Sequence, residues 1–408
     1  GATLSLAAVG LEAEFSLIVD GQPERPEDVF GDPRGFIRAP LVHRRGTSYH
    51  LPTGGAVYFD TGVIELATPI VELERGCMVR AGRSLWDSLR FVRGELDAWE
   101  ARTGRSAQLA GFSAHYNVSA DGRADGGRAR LDAIARLLTY ILPAPVMLLA
   151  PNRASTGVGV RPRGDRAEVT VDFTPSSSLM IAAGTLITGI VREVATWRDL
   201  SLDALAARRI PVIEGFAPCA HTSRKGWLAH ADCYPANPFA GDASEAQWSV
   251  RVNGRRTRWS LRRLARRVFA EFRRPIAALA DPFSFRLIRS VLSGRAPSLL
   301  DLPARPAAYD DAGRLCRWED LFPAPLVAHS RYERVLMRAL AGDRLSIAGE
   351  TFVPSGIKGW SRIAFRRERD GGTVIMPFDF LLQHLDRWEA RTGVRDPRNG
   401  ARDPLTER

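Results

Sequence analysis

The chain has 408 residues, 45% of them hydrophobic, and a formal net charge of +11. That is enough to bury one large core and a smaller one, and no apolar run approaches the about 20 residues of a membrane span, which excludes a membrane segment from the expectation. The start lacks a charged-then-apolar signal pattern, and four cysteines are too few to read as a disulfide framework, so a cytoplasmic protein is expected.

Lys225 and Lys358 are the only lysines, so nearly all the positive charge is arginine. The planar guanidinium fork pairs with carboxylate and phosphate, which makes an anionic small molecule or an acidic protein or peptide segment the expected partner. The excess does not by itself choose between them.

Val9 to Val19 predicts a strand in which Glu12 and Glu14, two apart, share a face among Leu11, Phe15, Leu17 and Ile18. Carboxylates side by side in an apolar setting repel. A bound Mg²⁺ removes the conflict, and an edge strand with a solvated acidic face is the alternative. Asp20 to Arg38 reads as loop with short helical turns. Ser48 to Leu51 and Ala56 to Phe59 predict a hairpin across Pro52-Thr53-Gly54-Gly55, delivering Asp60 to a turn at Thr61-Gly62. Glu65 lies in the strand-like stretch Val63 to Thr68.

Val79 to Arg102 has helical periodicity, with Gly104 suited to its end. In the strand Gly111 to Ser119, Phe112, Ala114, Tyr116 and Val118 fall on one face and Ser113, His115, Asn117 and Ser119 on the other. Leu131 to Leu149 is an apolar helix interrupted by Pro143 and Pro145. The strand Ala167 to Phe173 sets Glu168 near Arg161, Arg163 and Arg166, a site for a metal-bound phosphate or a surface ion-pair cluster. Ser178 to Trp197 is a long apolar helix.

Cys219, His221, His230 and Cys233 could in principle form a Cys₂His₂ zinc site, but neither pair has finger spacing, which disfavours zinc and leaves a histidine-bearing loop lining a groove. Arg251 to Arg274 reads as an amphipathic helical segment with a strongly basic face, either solvated or a surface for an acidic partner. Nucleic acid is disfavoured because its aromatics are not interleaved as base-stacking platforms. Beyond Asp281, proline-separated pieces place a boundary near Gly294, before helical Ser330 to Leu340, strands from Leu345 to Phe365 and helical Phe378 to Arg391. LDAWEARTG at Leu96 to Gly104 nearly recurs as LDRWEARTG at Leu385 to Gly393, read as two similar helix ends.

In order, GLEAEF, GGAVYFDTGVIELATP, FSAHYN and DRAEVTVDFTPSSSLMIAAGTLITGIVREV resemble the glutamine synthetase and glutamate–cysteine ligase superfamily, and within it the Pup ligase and depupylase branch. The resemblance implies an α+β fold: a curved, largely antiparallel sheet backed by helices as a glutamine synthetase-like catalytic domain over residues 1–294, with a small mixed C-terminal domain over 295–408. It implies ATP and Mg²⁺, held by Glu12, Glu14, Glu65, His115 and Glu168 as metal ligands. Arg161, Arg163, Arg166 and Asn117 would bind the nucleotide, with Arg166 at the γ-phosphate and Asp60 as the catalytic carboxylate. Glu168 departs from the branch, which has histidine there, but matches the glutamate–cysteine ligases.

The activity so implied is ATP-dependent: a carboxylate becomes an acyl phosphate and an amine attacks it. A phosphotransferase or a depupylase-like amide hydrolase is the alternative on the same fold. A non-catalytic, arginine-rich binding protein is the alternative of a different class.

Overall fold

In the computed structural model, which describes residues 7–120, 127–151, 153–174, 176–221, 225–252, 254–301 and 322–392, the opening stretch is the strand β1 (Ala8–Val19). Leu11, Ala13, Phe15 and Leu17 are buried while Glu12, Glu14 and Ser16 are only half-buried, the alternation a one-sided strand requires. The chain divides into two compact units that interleave in sequence. The first holds Gly1–Leu73, Val79–Ala110 and Ala308–Arg408; the second holds Glu74–Met78 and Gly111–Ala307. Both mix helices with antiparallel sheet.

In the first unit, β2 (Gln22–Glu24), α1 (Pro26–Phe30), β3 (Val42–Arg45), β4 (Ser48–His50), β5 (Ala56–Asp60), β6 (Val63–Ala67) and β7 (Val71–Glu72) follow. Neighbours run β3-β4-β5-β6-β1, with β2 and β7 also on β1, all antiparallel. The expected hairpin is present, Tyr49 opposite Val57. A second tight turn follows at once, because Thr61 and Gly62 both take positive φ, 51° and 93°, as a two-residue hairpin loop of the I′ kind needs. It pairs Asp60 with Val63.

Helix α2 (Cys77–Thr103) buries Leu85, Leu89, Val92, Leu96 and Trp99, and Gly104, at φ 71°, ends it with its amide on Glu100 O. The C-terminal stretch joins the same unit. Helices Arg331–Leu340 and Phe378–Thr392 cover a four-stranded sheet of β15 (Leu345–Ile347), β16 (Glu350–Lys358), β17 (Arg362–Arg367) and β18 (Thr373–Pro377). Leu336, Phe365, Leu381 and Trp388 pack there in one apolar cluster that includes Ala8 of β1. Both copies of the repeated motif do end helices, with Trp99 and Trp388 turned inward; Gly393 lies outside the described residues.

In the second unit, β8 (Ala107–Ser119), α3 (Gly127–Ile141), α4 (Pro143–Leu149), β9 (Gly157–Arg163), β10 (Arg166–Asp172), α5 (Ser177–Val194), α6 (Asp203–Ala207), β11 (Cys219–Ala220) and β12 (Trp227–His230) give a sheet ordered β11-β12-β9-β10-β8. The apolar run around Pro143 is two helices bent by 60°, since proline cannot continue the preceding hydrogen-bond ladder. By length and composition α5 is apolar enough to cross a membrane, yet here it is a core helix with most of its residues buried. Gly184 lets it close on β8, where a Cβ would stand 3.1 Å from the Tyr116 ring. The side of β8 that bears Tyr116 is therefore the helix-packed one, and His115 and Asn117 point the other way.

One expectation is corrected here, and one reading left open is answered. Arg251 to Arg274 is not continuously helical: β13 (Trp248–Val252) and β14 (Arg255–Trp259) form a hairpin through Gly254, at φ 76°, and helix α7 (Leu261–Glu271) begins only after Ser260, whose Oγ caps Arg263 N at 3.1 Å. Trp248, Val250, Thr257 and Trp259 recur at period two, a strand signal masked by the surrounding arginines. Helices α8 (Arg273–Leu279) and α9 (Pro282–Leu292) follow. The disfavoured zinc site is absent as well. Cys219 and Cys233 are joined in a disulfide, their Cα atoms 6.6 Å apart, so neither is available as a thiolate of a Cys₂His₂ site.

Candidate functional site

Register decides which carboxylates of the first unit meet. Glu14 of β1 lies opposite Glu65 of β6, and Glu65 lies opposite Tyr58 of β5. Residues directly across a sheet share a face, as do residues two apart. Glu12, Glu14, Glu65, Tyr58 and Asp60 therefore all project from one side. One oxygen from each of Glu14, Asp60 and Glu65 falls within 4.8 Å of the others. Two full charges at that separation repel by roughly 3 kcal/mol at an effective dielectric of about 20. Glu65 is 3% exposed, so water does little to relieve it.

The donor set fits a hard divalent cation. It is all carboxylate oxygen, and its spread is close to the about 4.2 Å between opposite oxygens of an octahedral Mg²⁺. Glu14 and Glu65 are the residues that would hold it, with Glu12 next along β1 and the Asp60 carboxylate beside the ion.

Two side chains of this face were not picked out from the sequence. Tyr58 Oη donates to Glu65 Oε1 at 2.6 Å. Burial, then the charges of Glu12 and Glu65, push its phenol far above the usual value, while Arg44 of β3 pulls the other way. Arg44 stacks over the Trp360 ring at 4.3 Å, and the same ring stands edge-on to His50 at 5.2 Å. Burial first, then Arg44, lower the His50 pKa to about 4, so this imidazole is neutral at pH 7. The alternation of β5 puts Tyr58 on the face of Asp60 and could have flagged it. Arg44 had no such signal, its strand being short and exposed.

Asp60 is positioned by its turn. Thr61 Oγ1 donates to Asp60 Oδ1 at 3.0 Å, and the amide of Gly62 donates to Glu27 Oε1 of α1 at 2.9 Å. A β-branched residue at positive φ is costly, and the structure holds that conformation directly beside the candidate catalytic carboxylate.

In the second unit, Glu168 lies opposite Asn117 on one side and Arg161 on the other, with Thr170 opposite His115 and Arg166 opposite Ser119 and Arg163. His115, Asn117, Arg161, Arg163, Arg166 and Glu168 thus share one sheet face. Glu168 is fully buried and ion-paired through one oxygen with Arg161 and through the other with Arg163 at 3.0 Å. A metal reaching it would have to displace a guanidinium. Arg166 Nε donates to Asn117 Oδ1 at 2.7 Å, and His115 Nε2 lies 3.3 Å from Ser113 Oγ.

No family model and no curated protein matches the chain. Solved structures do resemble it. Among them is the complex between the prokaryotic ubiquitin-like protein Pup and its ligase PafA, at 12% sequence identity and a TM-score of 0.49, the match covering 98% of this chain and 99% of that one.

Proposed function

We propose that the chain is an ATP- and Mg²⁺-dependent enzyme of the carboxylate–amine ligase type, acting on an anionic small molecule or an acidic protein or peptide tail. The observation that carries this reading is the gathering of Glu14, Asp60 and Glu65 on one face of the first unit. The four ordered motifs that resemble the superfamily agree with it.

Bound among these carboxylates, Mg²⁺ supplies the positive charge that phosphoryl transfer to a substrate carboxylate requires. Glu14 and Glu65 are assigned the holding of the ion, and Tyr58 fixes the orientation of Glu65 through its 2.6 Å hydrogen bond. Asp60, set at the end of β5 by the Thr61-Gly62 turn, is assigned the removal of a proton from the attacking amine. In the second unit, Arg166 and its neighbours Arg161 and Arg163 are the groups assigned to phosphate oxygens, for which forked guanidinium donors are suited. Glu168 is left out of the metal set because arginine occupies both its oxygens.

Calorimetry of ATP binding with and without Mg²⁺, on the wild type and on Glu14→Ala, tests the proposal. Binding that depends on Mg²⁺ and is lost in the variant supports it. A folded wild type that binds no ATP under either condition refutes it.

A further inference from the structure

Far along the second unit, outside the residues assigned to ATP, the N-terminal half of α7 and the end of α9 line a wide-mouthed cavity of about 590 Å³ that opens to solvent. Its walls carry Arg262, Arg263, Arg266 and Arg267, with the hydroxyls of Ser244, Ser260 and Ser293 among them. A volume of this size accommodates a small molecule.

The four guanidinium groups are not equivalent. Arg262 is fixed: it donates to Val291 O at 2.6 Å, to Ser244 Oγ at 3.1 Å and to Asp301 at 2.9 Å. Arg267 is also satisfied, through Glu271 at 3.0 Å and the carbonyls of Arg208 and Arg209. Both are structural. Arg263 and Arg266 differ from them. They are exposed, and among the described residues neither has a carboxylate partner; Arg263 lies 4.2 Å over the Trp259 ring, which fixes its direction. The first amides of α7 are already taken, Arg262 N by Ala243 O and Arg263 N by Ser260 Oγ, so an arriving anion would meet side chains rather than the helix end.

The charge left over is therefore two, on two forked donors one residue-triplet apart on the same helix face. We infer that this cavity binds a small phosphorylated ligand, whose phosphate monoester carries a charge between −1.5 and −2 at neutral pH and offers three acceptor oxygens. A carboxylate would leave one arginine unmatched. The inference stands independently of the ligase reading, since it uses none of that site's residues.

The test is thermal stabilisation of the full chain in EDTA by inorganic phosphate, with sulfate as a permanent dianion and chloride at equal ionic strength as the control. Phosphate and sulfate are expected to raise the melting temperature where chloride does not. In Arg263→Gln/Arg266→Gln the apparent affinity should fall about tenfold or more, with Arg266→Gln alone intermediate. The phosphate response should strengthen between pH 6 and 8, as the second proton leaves, while that to sulfate stays flat. Equal responses to all three salts, or a double variant that responds like the wild type, overturn the inference. So does a 20-nucleotide single strand that stabilises the protein at concentrations far below those needed for phosphate, which would make the arginines a polymer-binding surface.

Discussion

Tyr58 and Glu65 face each other across β5 and β6, joined by a 2.6 Å hydrogen bond in which the phenol is always the donor. Burial, then the negative charges of Glu12 and Glu65, push its pKa above the usual phenol value, so at neutral pH it stays a neutral donor beside its partner. A neutral donor bound to one oxygen leaves the other oxygen of Glu65 to turn toward Glu14 and Asp60. Replacing Tyr58 by phenylalanine should keep the fold and weaken Mg²⁺ affinity about tenfold, the usual cost of losing a group that orients a metal ligand. Calorimetric titration of the metal checks this, and an unchanged affinity would show that Glu65 needs no such support.

The turn beside Asp60 stores strain. Thr61 at φ 51° pays for its β-branched side chain in a conformation that asparagine tolerates better. Thr61→Asn should raise stability in a urea titration by about 1 kcal/mol. If the strain also serves to aim Asp60, catalytic turnover falls in the same variant while the melting point rises, and a variant that gained both would remove the turn from any functional role.

Strand β1 was legible because alternation of apolar and polar residues is written directly into Leu11 to Leu17, and β5 and β6 because the turn residues Pro52 to Gly55 and Thr61-Gly62 bracket short apolar runs. So was the shared face of Glu12 and Glu14, which follows from period two alone. What the sequence did not disclose was set by partners distant in the chain. Arg83 and Glu333 are 250 residues apart and meet in a buried ion pair, and nothing local to either residue marks the other. The Cys219–Cys233 bridge depends on how β11 and β12 pair, which the spacing of the two cysteines does not disclose. In β13 and β14 a period-two pattern was hidden by arginines that extend to solvent, so a hairpin was read as helix.

The Arg83–Glu333 pair gives a pH signature. Burial alone raises the Glu333 pKa, but the Arg83 guanidinium, then His329 and the Ser330 amide, bring it down to about 2 from 4.5. A folded-state value below the unfolded one means the unfolded chain binds more protons between those limits. The contribution is thus fully present above pH 4.5 and is lost as pH falls toward 2, amounting to roughly 3 kcal/mol. Glu333→Gln should flatten stability over that window, and at pH 7 it should cost about 3 kcal/mol by leaving Arg83 buried with only Asp87 opposite. Denaturant titrations at pH 7, 5, 4 and 3 on both proteins measure the two effects together.

The most direct measurement is metal binding at the carboxylate face itself, using Mn²⁺ as a paramagnetic stand-in for Mg²⁺ and reading the free ion by electron paramagnetic resonance. The wild type should take up Mn²⁺, Mg²⁺ should displace it, and both Glu14→Gln and Glu65→Gln should lose most of that binding while their circular dichroism stays native. Folded variants that bind Mn²⁺ as tightly as the wild type would contradict the placement of the metal among Glu14, Asp60 and Glu65, and with it the proposed chemistry.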